Sequence, residues 1–369
     1  MKTILHVIDT TGPGGAETVF IDLVSNLSRN KYRPVVVIRG KGWVHDTLCE
    51  SGVDPVVMDA KGSFNWRYLS RLVSLIRREK VDLVHSHLLG SNVYGSIAGM
   101  IARKPVVATF HGSVDIAEQE RLKGLKFSAI NAGASTIVTV SASLRNDILD
   151  RTSLRAGKIR VIYNGIKTAD YLNPRSDRLR REYGWPSEDI IIGSLGNLRP
   201  SKAYDVLVQA ANLLKDSPRE YRFLIAGQGK SGLYDELLQL RNELGLQDSV
   251  HFPGFVDRPA EFLSGLDMYL LSSRSEGFSI ATIQAMAAGL PVVATRSGGP
   301  EEIITHGENG WLVEPGNPHA IADALEMLAA DNVLCRSLSM AGKAHVTKTF
   351  GMETMLSAYE DIYEELIRE

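Results

Sequence analysis

Residues Ser272 to Glu302 read SSRSEGFSIATIQAMAAGLPVVATRSGGPEE, and this stretch decides how the chain folds. An apolar strand ends near Leu271, the acidic Glu276 follows, and a turn at Gly277 runs into a small-residue helix, Ala281 to Ala288. A helix that begins directly after such a turn offers unpaired N–H groups and the positive end of its dipole, which suits a phosphate or diphosphate. Glu276 repels phosphate, so its natural partners are hydroxyl donors such as those of a sugar. The pattern then recurs in short form: a strand from Pro291 to Thr295, a turn at Gly298 and Gly299, and a helix start at Pro300-Glu301-Glu302. Proline stands there in the first turn, where its missing N–H costs nothing. Two neighbouring strand ends open onto one crevice.

Outward from this block, apolar runs alternate with amphipathic ones along the whole chain. Strands are predicted near Thr3–Ile8, Pro34–Ile38, Asp54–Met58, Asp82–His85, Pro105–Thr109, Thr136–Val140 and Lys158–Ile162. After a polar, proline-containing interruption at 164–185, read as a linker, they resume near Ile190–Leu195, Arg222–Ala226, Val250–Phe252, Asp267–Leu271, Pro291–Thr295 and Gly310–Val313. Helical patterns such as Glu17–Leu27, Trp66–Arg78 and Asn92–Ala102 fill the gaps. Such alternation predicts an α/β chain with two Rossmann-like domains, each a parallel sheet covered on both faces. Ligands in such sheets bind beyond the carboxyl ends of the strands.

At 369 residues the chain exceeds the ~250–300 at which single cores stop growing. Its two cysteines, Cys49 and Cys335, suggest neither a disulfide framework nor a metal cluster and fit a reducing cytoplasm. No run approaches ~20 apolar residues, and Met1 to Asp9 reads as a strand rather than a signal peptide, so a soluble or peripheral protein is expected. Net charge is −2, yet residues 1–165 carry 22 Lys and Arg against 14 Asp and Glu, leaving 19 against 29 in the remainder. A basic first half suggests an anionic partner, a membrane surface or a phosphorylated acceptor, or else uneven surface decoration. Nucleic acid is not expected. The basic face of Trp66–Arg78 fits an anionic membrane or an ordinary crossover helix.

Several turns that come after strands carry chemistry-bearing residues. Asp9 to Glu17 is glycine-rich at Gly12, Gly14 and Gly15, without the spacing of a dinucleotide fingerprint or the Lys-Ser/Thr of a P-loop. His85 and His87 end one strand; a pair without a third candidate nearby is a weak metal site, and His87 is read as an acceptor contact. His111 stands just beyond the next strand. Ser194 to Lys202 places two cations, Arg199 and Lys202, at a strand's carboxyl end, where they would stabilise negative charge.

These motifs, E-G-F-S, A-M-A-A-G-L-P-V-V-A-T and G-G-P-E-E, resemble the donor-site block of the retaining GT-B glycosyltransferases, glycosyltransferase family 4. The resemblance implies two facing Rossmann-like domains with an interdomain cleft: an acceptor-binding domain at 1–165, a nucleotide-sugar domain at 166–349, and a C-terminal helix at 350–369 crossing back to the first. It implies that Glu276 contacts donor-sugar hydroxyls, that Lys202 and Arg199 serve the diphosphate, and that His111, in Thr109-Phe110-His111-Gly112, lies on the reacting side of the sugar. Gly14, Gly15, Asn197, Gly227, Phe255, Val256, Gly277, Phe278, Ser279, Ile280 and Gln284 would bind donor or nucleotide, and Glu17 with His87 the acceptor.

The family's second glutamate is Gln284 here, and its diphosphate arginine is Asn197, with Arg199 two residues on. The resemblance implies metal-independent transfer from a nucleotide-sugar, UDP before GDP or ADP, to a glycan or lipid-linked acceptor, with retention, in bacterial surface polysaccharide or glycoconjugate synthesis. The alternatives are a sugar-nucleotide epimerase on the same plan and a catalytically silent binding protein. A dinucleotide oxidoreductase is disfavoured, because the second strand closes on Val37-Ile38-Arg39 without an acidic residue.

Overall fold

The structure, a computed structural model, describes residues 1–60, 64–116, 120–229 and 231–368. The chain divides into two compact units, Met1–Gly165 with Glu353–Glu369, and Ile166–Met352.

In the first unit β1 (Lys2–Ile8), β2 (Tyr32–Ile38), β3 (Val56–Val57), β4 (Leu83–His87), β5 (Val106–Phe110), β6 (Thr136–Thr139) and β7 (Ile159–Val161) form one parallel sheet. Its order is β3-β2-β1-β4-β5-β6-β7. The second unit repeats the design with β8 (Ile190–Leu195), β9 (Tyr221–Ala226), β10 (Val250–Gly254), β11 (Met268–Leu271), β12 (Val292–Thr295) and β13 (Trp311–Val313), ordered β10-β9-β8-β11-β12-β13. Near-continuous apolar strands such as Val35 to Ile38 and Met268 to Leu271 are buried because helices cover both faces. In each sheet the order reverses between the first strand and its non-consecutive neighbour, β1 and β4 or β8 and β11.

An aspartate closes the amino end of each reversal. Thr3 N donates to Asp82 Oδ2 and Asp82 N to Thr3 O, both at 2.8 Å. In the second unit Ile191 N donates to Asp267 Oδ2 and Asp267 N to Ile191 O, again at 2.8 Å. Arg180, itself buried, adds a 2.6 Å ion pair to Asp267.

Two expectations change. Residues 164–185 are no open linker: they hold a short turn of 3-10 helix, Thr168–Tyr171, and the helix Arg178–Tyr183, whose Leu179 packs under Gly265. The element after Gly298 is likewise a 3-10 turn, Gly299–Glu302, closed by Glu301 accepting from Gly298 N at 2.9 Å.

The C-terminal helix, Met352–Arg368, packs on the first unit's sheet. Tyr363 is fully buried with its hydroxyl 2.6 Å from His85 Nδ1. Glu365 takes the Arg160 guanidinium through both oxygens, and Lys31 pairs with Glu360 and Glu364. These acids alter the charge reading. The first unit as folded holds 23 Lys and Arg against 20 Asp and Glu, so the excess of eight positive charges in residues 1–165 shrinks to three. The case for an anionic surface shrinks with it. Among the described residues no helix is long and apolar enough to cross a membrane.

Removing the Tyr363 hydroxyl strands a buried imidazole nitrogen, which costs about 1–3 kcal/mol. Tyr363→Phe is therefore expected to lower the unfolding free energy by that amount, read as a lower urea midpoint at unchanged slope; an unchanged midpoint would show that the bond contributes nothing.

Candidate functional site

The second unit gathers its predicted residues at the carboxyl ends of β8, β9 and β11. After β8 the chain passes Gly196 and Asn197, then makes a 3-10 turn, Pro200–Lys202. After β11 it reaches Glu276. Three interactions tie the two turns: Ser272 Oγ donates to Lys202 O at 2.9 Å, Arg274 N to Ser201 O at 2.7 Å, and Lys202 Nζ to Glu276 Oε1 at 2.6 Å. Ser273 Oγ donates to that same Oε1 at 2.5 Å. The Arg274 guanidinium is anchored on both oxygens of Asp205 and props the Lys202 turn from outside.

Gly196 is glycine for a physical reason. Its φ is +156°, and a β-carbon there would come within 2.9 Å of Lys202 Cε and 3.2 Å of Nζ, so only a bare backbone lets the lysine lie across the turn. Gly227, after β9, packs against the Gly196 carbonyl and donates its N–H to Gly254 O at 2.8 Å. Phe255 and Val256, after the outermost strand β10, line a groove of ≈ 440 Å³ with Leu179, Tyr183 and Phe262. Arg199 is exposed on the Lys202 turn.

The helix Ile280–Ala287 starts where expected, and the structure shows what its first residues do. Ser279 is its cap, Oγ accepting from Thr282 N at 3.3 Å. Phe278 is buried edge-on against Phe350, with ring centroids 5.4 Å apart. Ile280 and Gln284 are buried as well. The side chains of Phe278, Ser279 and Ile280 thus build the helix start, and what they offer a ligand is backbone. Gly277 bridges Glu276 to this cap, and the Gly299 turn closes on Gly277 O.

The first unit assembles a second crevice at the β1/β4 reversal. Gly14 and Gly15 open the helix Gly15–Asn26, and the Glu17 carboxylate folds back over Gly14 into the space a β-carbon there would need. His111 stands just beyond β5; its N–H donates to Asp115 Oδ2 at 2.8 Å and its Nε2 lies 3.0 Å from His87 Nδ1. Asp115 also accepts from Leu89 N at 3.2 Å, tying the His111 turn to the start of the helix Leu89–Ala102. Asp9, at the end of β1, lies against Gly90 of that helix. Burial pushes both carboxyls up to about 6.

His87 corrects an expectation. It is 0% exposed and turned toward His111, so it supports that residue and presents no atom to an acceptor. The view of His85 and His87 as a pair without a third also changes, because β1 brings in His6, the register partner of His85. The ligand atoms of His6, His85 and His87 lie within 4.8 Å of one another. Both His85 nitrogens are engaged already, by Tyr363 and by Thr109 Oγ1 at 2.8 Å. The geometry is that of a packed imidazole cluster. Burial lowers His111 to about 4, His6 to about 3, and His85 and His87 well below the usual imidazole value, so all four are neutral near pH 7.

Two doubly wound parallel units are the architecture of the GT-B glycosyltransferases. The chain belongs to glycosyltransferase family 4: the family described as Glycosyltransferase Family 4 matches residues 13–170, and Glycosyl transferases group 1 matches 175–345. It is 30% identical over 324 residues to a D-inositol 3-phosphate glycosyltransferase of Corynebacterium jeikeium, across 81% of this chain and 76% of that one. It is 29% identical over 309 residues to the N-acetyl-alpha-D-glucosaminyl L-malate synthase of Bacillus anthracis, across 81% and 79%. The crystal structure of HepE from Anabaena in complex with UDP superposes with a TM-score of 0.87 at 25% identity, covering 99% of this chain and 100% of that one.

Imidazoles depressed by burial bind fewer protons when folded than when unfolded below pH 6.5, so they withdraw stability as pH falls from 6.5 toward 4. Asp9 and Asp115, raised to about 6, act in the opposite sense over about 4 to 6, but four imidazoles outweigh two carboxyls. His6 has neither nitrogen partnered among the described residues. His6→Leu is expected to leave stability at pH 7 within ~1 kcal/mol and to flatten the acid-side fall by up to ~1.4 kcal/mol per pH unit. Denaturant melts at pH 7, 6 and 5 measure both; a large loss at pH 7 would show that His6 makes a polar contact the fold needs.

Proposed function

We propose that this glycosyltransferase takes its sugar from a nucleotide-sugar, a UDP-sugar in the first place. Transfer is to a hydroxyl of a glycan or lipid-linked acceptor, with retention and without a metal ion, in the assembly of a bacterial surface polysaccharide or glycoconjugate. The observation that carries the reading is the second unit's Lys202–Glu276 contact beside a capped helix start: a cation for the diphosphate and a carboxylate for sugar hydroxyls, within 2.6 Å. The UDP bound by HepE supports the nucleotide, at 25% identity.

In this reading the bond from the sugar's anomeric carbon to the diphosphate oxygen breaks, and the electron pair leaves on the diphosphate. Lys202, Arg199 and the N–H groups of the Ile280–Ala287 helix stabilise that charge. The acceptor hydroxyl attacks from the same face, and its proton passes to the departing phosphate. Glu276 orients the sugar and Gln284 takes the ribose, with hydrogen bonds weaker than a carboxylate would make. His111, held by Asp115 and His87 and kept neutral by burial, acts as a hydrogen-bonding group through Nδ1, which has no partner among the described residues. The acceptor is assigned to the first unit, where Glu17 and Asp9 supply carboxylates for its hydroxyls. Peripheral contact with an anionic membrane rests on the first unit's three surplus positive charges.

Lys202→Met keeps the stem and deletes the charge. It is expected to lower kcat/KM by about 10²–10³, the range for loss of one transition-state charge contact, and to abolish the thermal shift with UDP-, GDP- and ADP-sugars that the unaltered protein shows for one of them. EDTA is expected to leave turnover unchanged. Turnover lost to chelator and restored by magnesium, or full activity in Lys202→Met, would rule the reading out.

A further inference from the structure

We infer that the Lys202–Glu276 ion pair makes the second unit distinguish an intact nucleotide-sugar from the bare nucleoside diphosphate left after transfer. The inference rests on the reading of this site as the donor site. Without ligand, lysine and glutamate satisfy each other: Nζ and Ser273 Oγ converge on one carboxylate oxygen at 2.6 and 2.5 Å, with the lysine and glutamate side chains 18% and 10% exposed. Lys202 Cε and Nζ lie over the Gly196 backbone. A diphosphate that takes the lysine must therefore strip Glu276 of its cation and bring further negative charge beside it.

A carboxylate left in a largely dry site with only the Ser273 hydroxyl donating to it is costly. The hydroxyls of an attached sugar supply further donors. A bare diphosphate does not, so it binds against an undercompensated charge that the intact donor offsets. Once the sugar has left, the pair can re-form, and its re-formation favours release of the nucleoside diphosphate. The contact that orients the donor thus also limits product inhibition.

The test is calorimetric titration of the unaltered protein and of Glu276→Gln with UDP, GDP and ADP and with their glucose conjugates, each variant's unliganded melting temperature being recorded. The glutamine keeps the shape and removes the charge. For the best-bound nucleotide, Glu276→Gln is expected to bind the bare diphosphate about tenfold more tightly than the unaltered protein, and its preference for the conjugate over the bare diphosphate is expected to collapse. An unchanged or weaker affinity for the bare diphosphate overturns the inference. Should the glutamine variant not fold, Glu276→Asp, which withdraws the carboxylate by one methylene, is read in its place. Tighter binding of the bare diphosphate then supports the inference, and equal or weaker binding overturns it. Unaltered protein that binds none of the six compounds overturns the donor-site reading as well, whereas binding of a conjugate with no gain in either variant overturns this inference alone.

Discussion

An aspartate at the foot of each central strand pair sets up everything beyond it. Asp82 and Asp267 each receive a backbone N–H through the carboxylate and give their own N–H back to the same residue, Thr3 or Ile191. This fixes the register of β1 against β4 and of β8 against β11 at the amino end. At the carboxyl end the chain leaves in opposite directions, so no crossover segment covers the gap. The turns there are free to carry function. One clamp used twice explains why both units hold their chemistry-bearing residues at the same place in the sheet.

The two crevices solve burial in opposite ways. In the first, three imidazoles are packed among Phe20, Tyr359 and Tyr363 with His111 stacked on one of them, and desolvation removes their charge. In the second, lysine and glutamate pair at 2.6 Å while largely shielded from water. The first crevice is thereby lined from behind by neutral side chains, and the second carries an ion pair.

Much of this is legible in the sequence, and the reason is periodicity. Parallel strands buried on both faces read as short apolar runs and amphipathic helices as 3.6-residue repeats, so Ile190–Leu195 and Trp66–Arg78 are placed to the residue. Glu276 and Lys202 are legible because each stands shortly after such an apolar run. Contacts between strands distant in sequence leave no local trace. Nothing near His85 announces that His6, 79 positions earlier, is its neighbour in register. Arg274 and Asp115 escape a sequence reading for a related reason. Each acts by holding another turn in place, Arg274 through Asp205 and Asp115 through Leu89, and such a role has no spacing rule. His87 misleads because an alternating strand end shows which face a residue shares but not whether a helix elsewhere in the chain covers that face.

The C-terminal helix shows how far that gap reaches. Its residues alone read as an acidic amphipathic tail counted with the second half of the chain, and only the family resemblance sends 350–369 back to the first domain. As structure it belongs to the first unit, where Tyr363 completes the hydrogen bonding of His85, Met355 Sδ accepts from Gly165 N at 3.3 Å, and its acids neutralise Lys31 and Arg160. The imidazoles behind His111 therefore rest on residues of the Met352–Arg368 helix. A first unit without them would keep its strands but leave His85 Nδ1 unpartnered and β1 without part of its cover. The surface charge of a domain and the support of its site are properties of the fold, and here both are supplied from the far end of the chain.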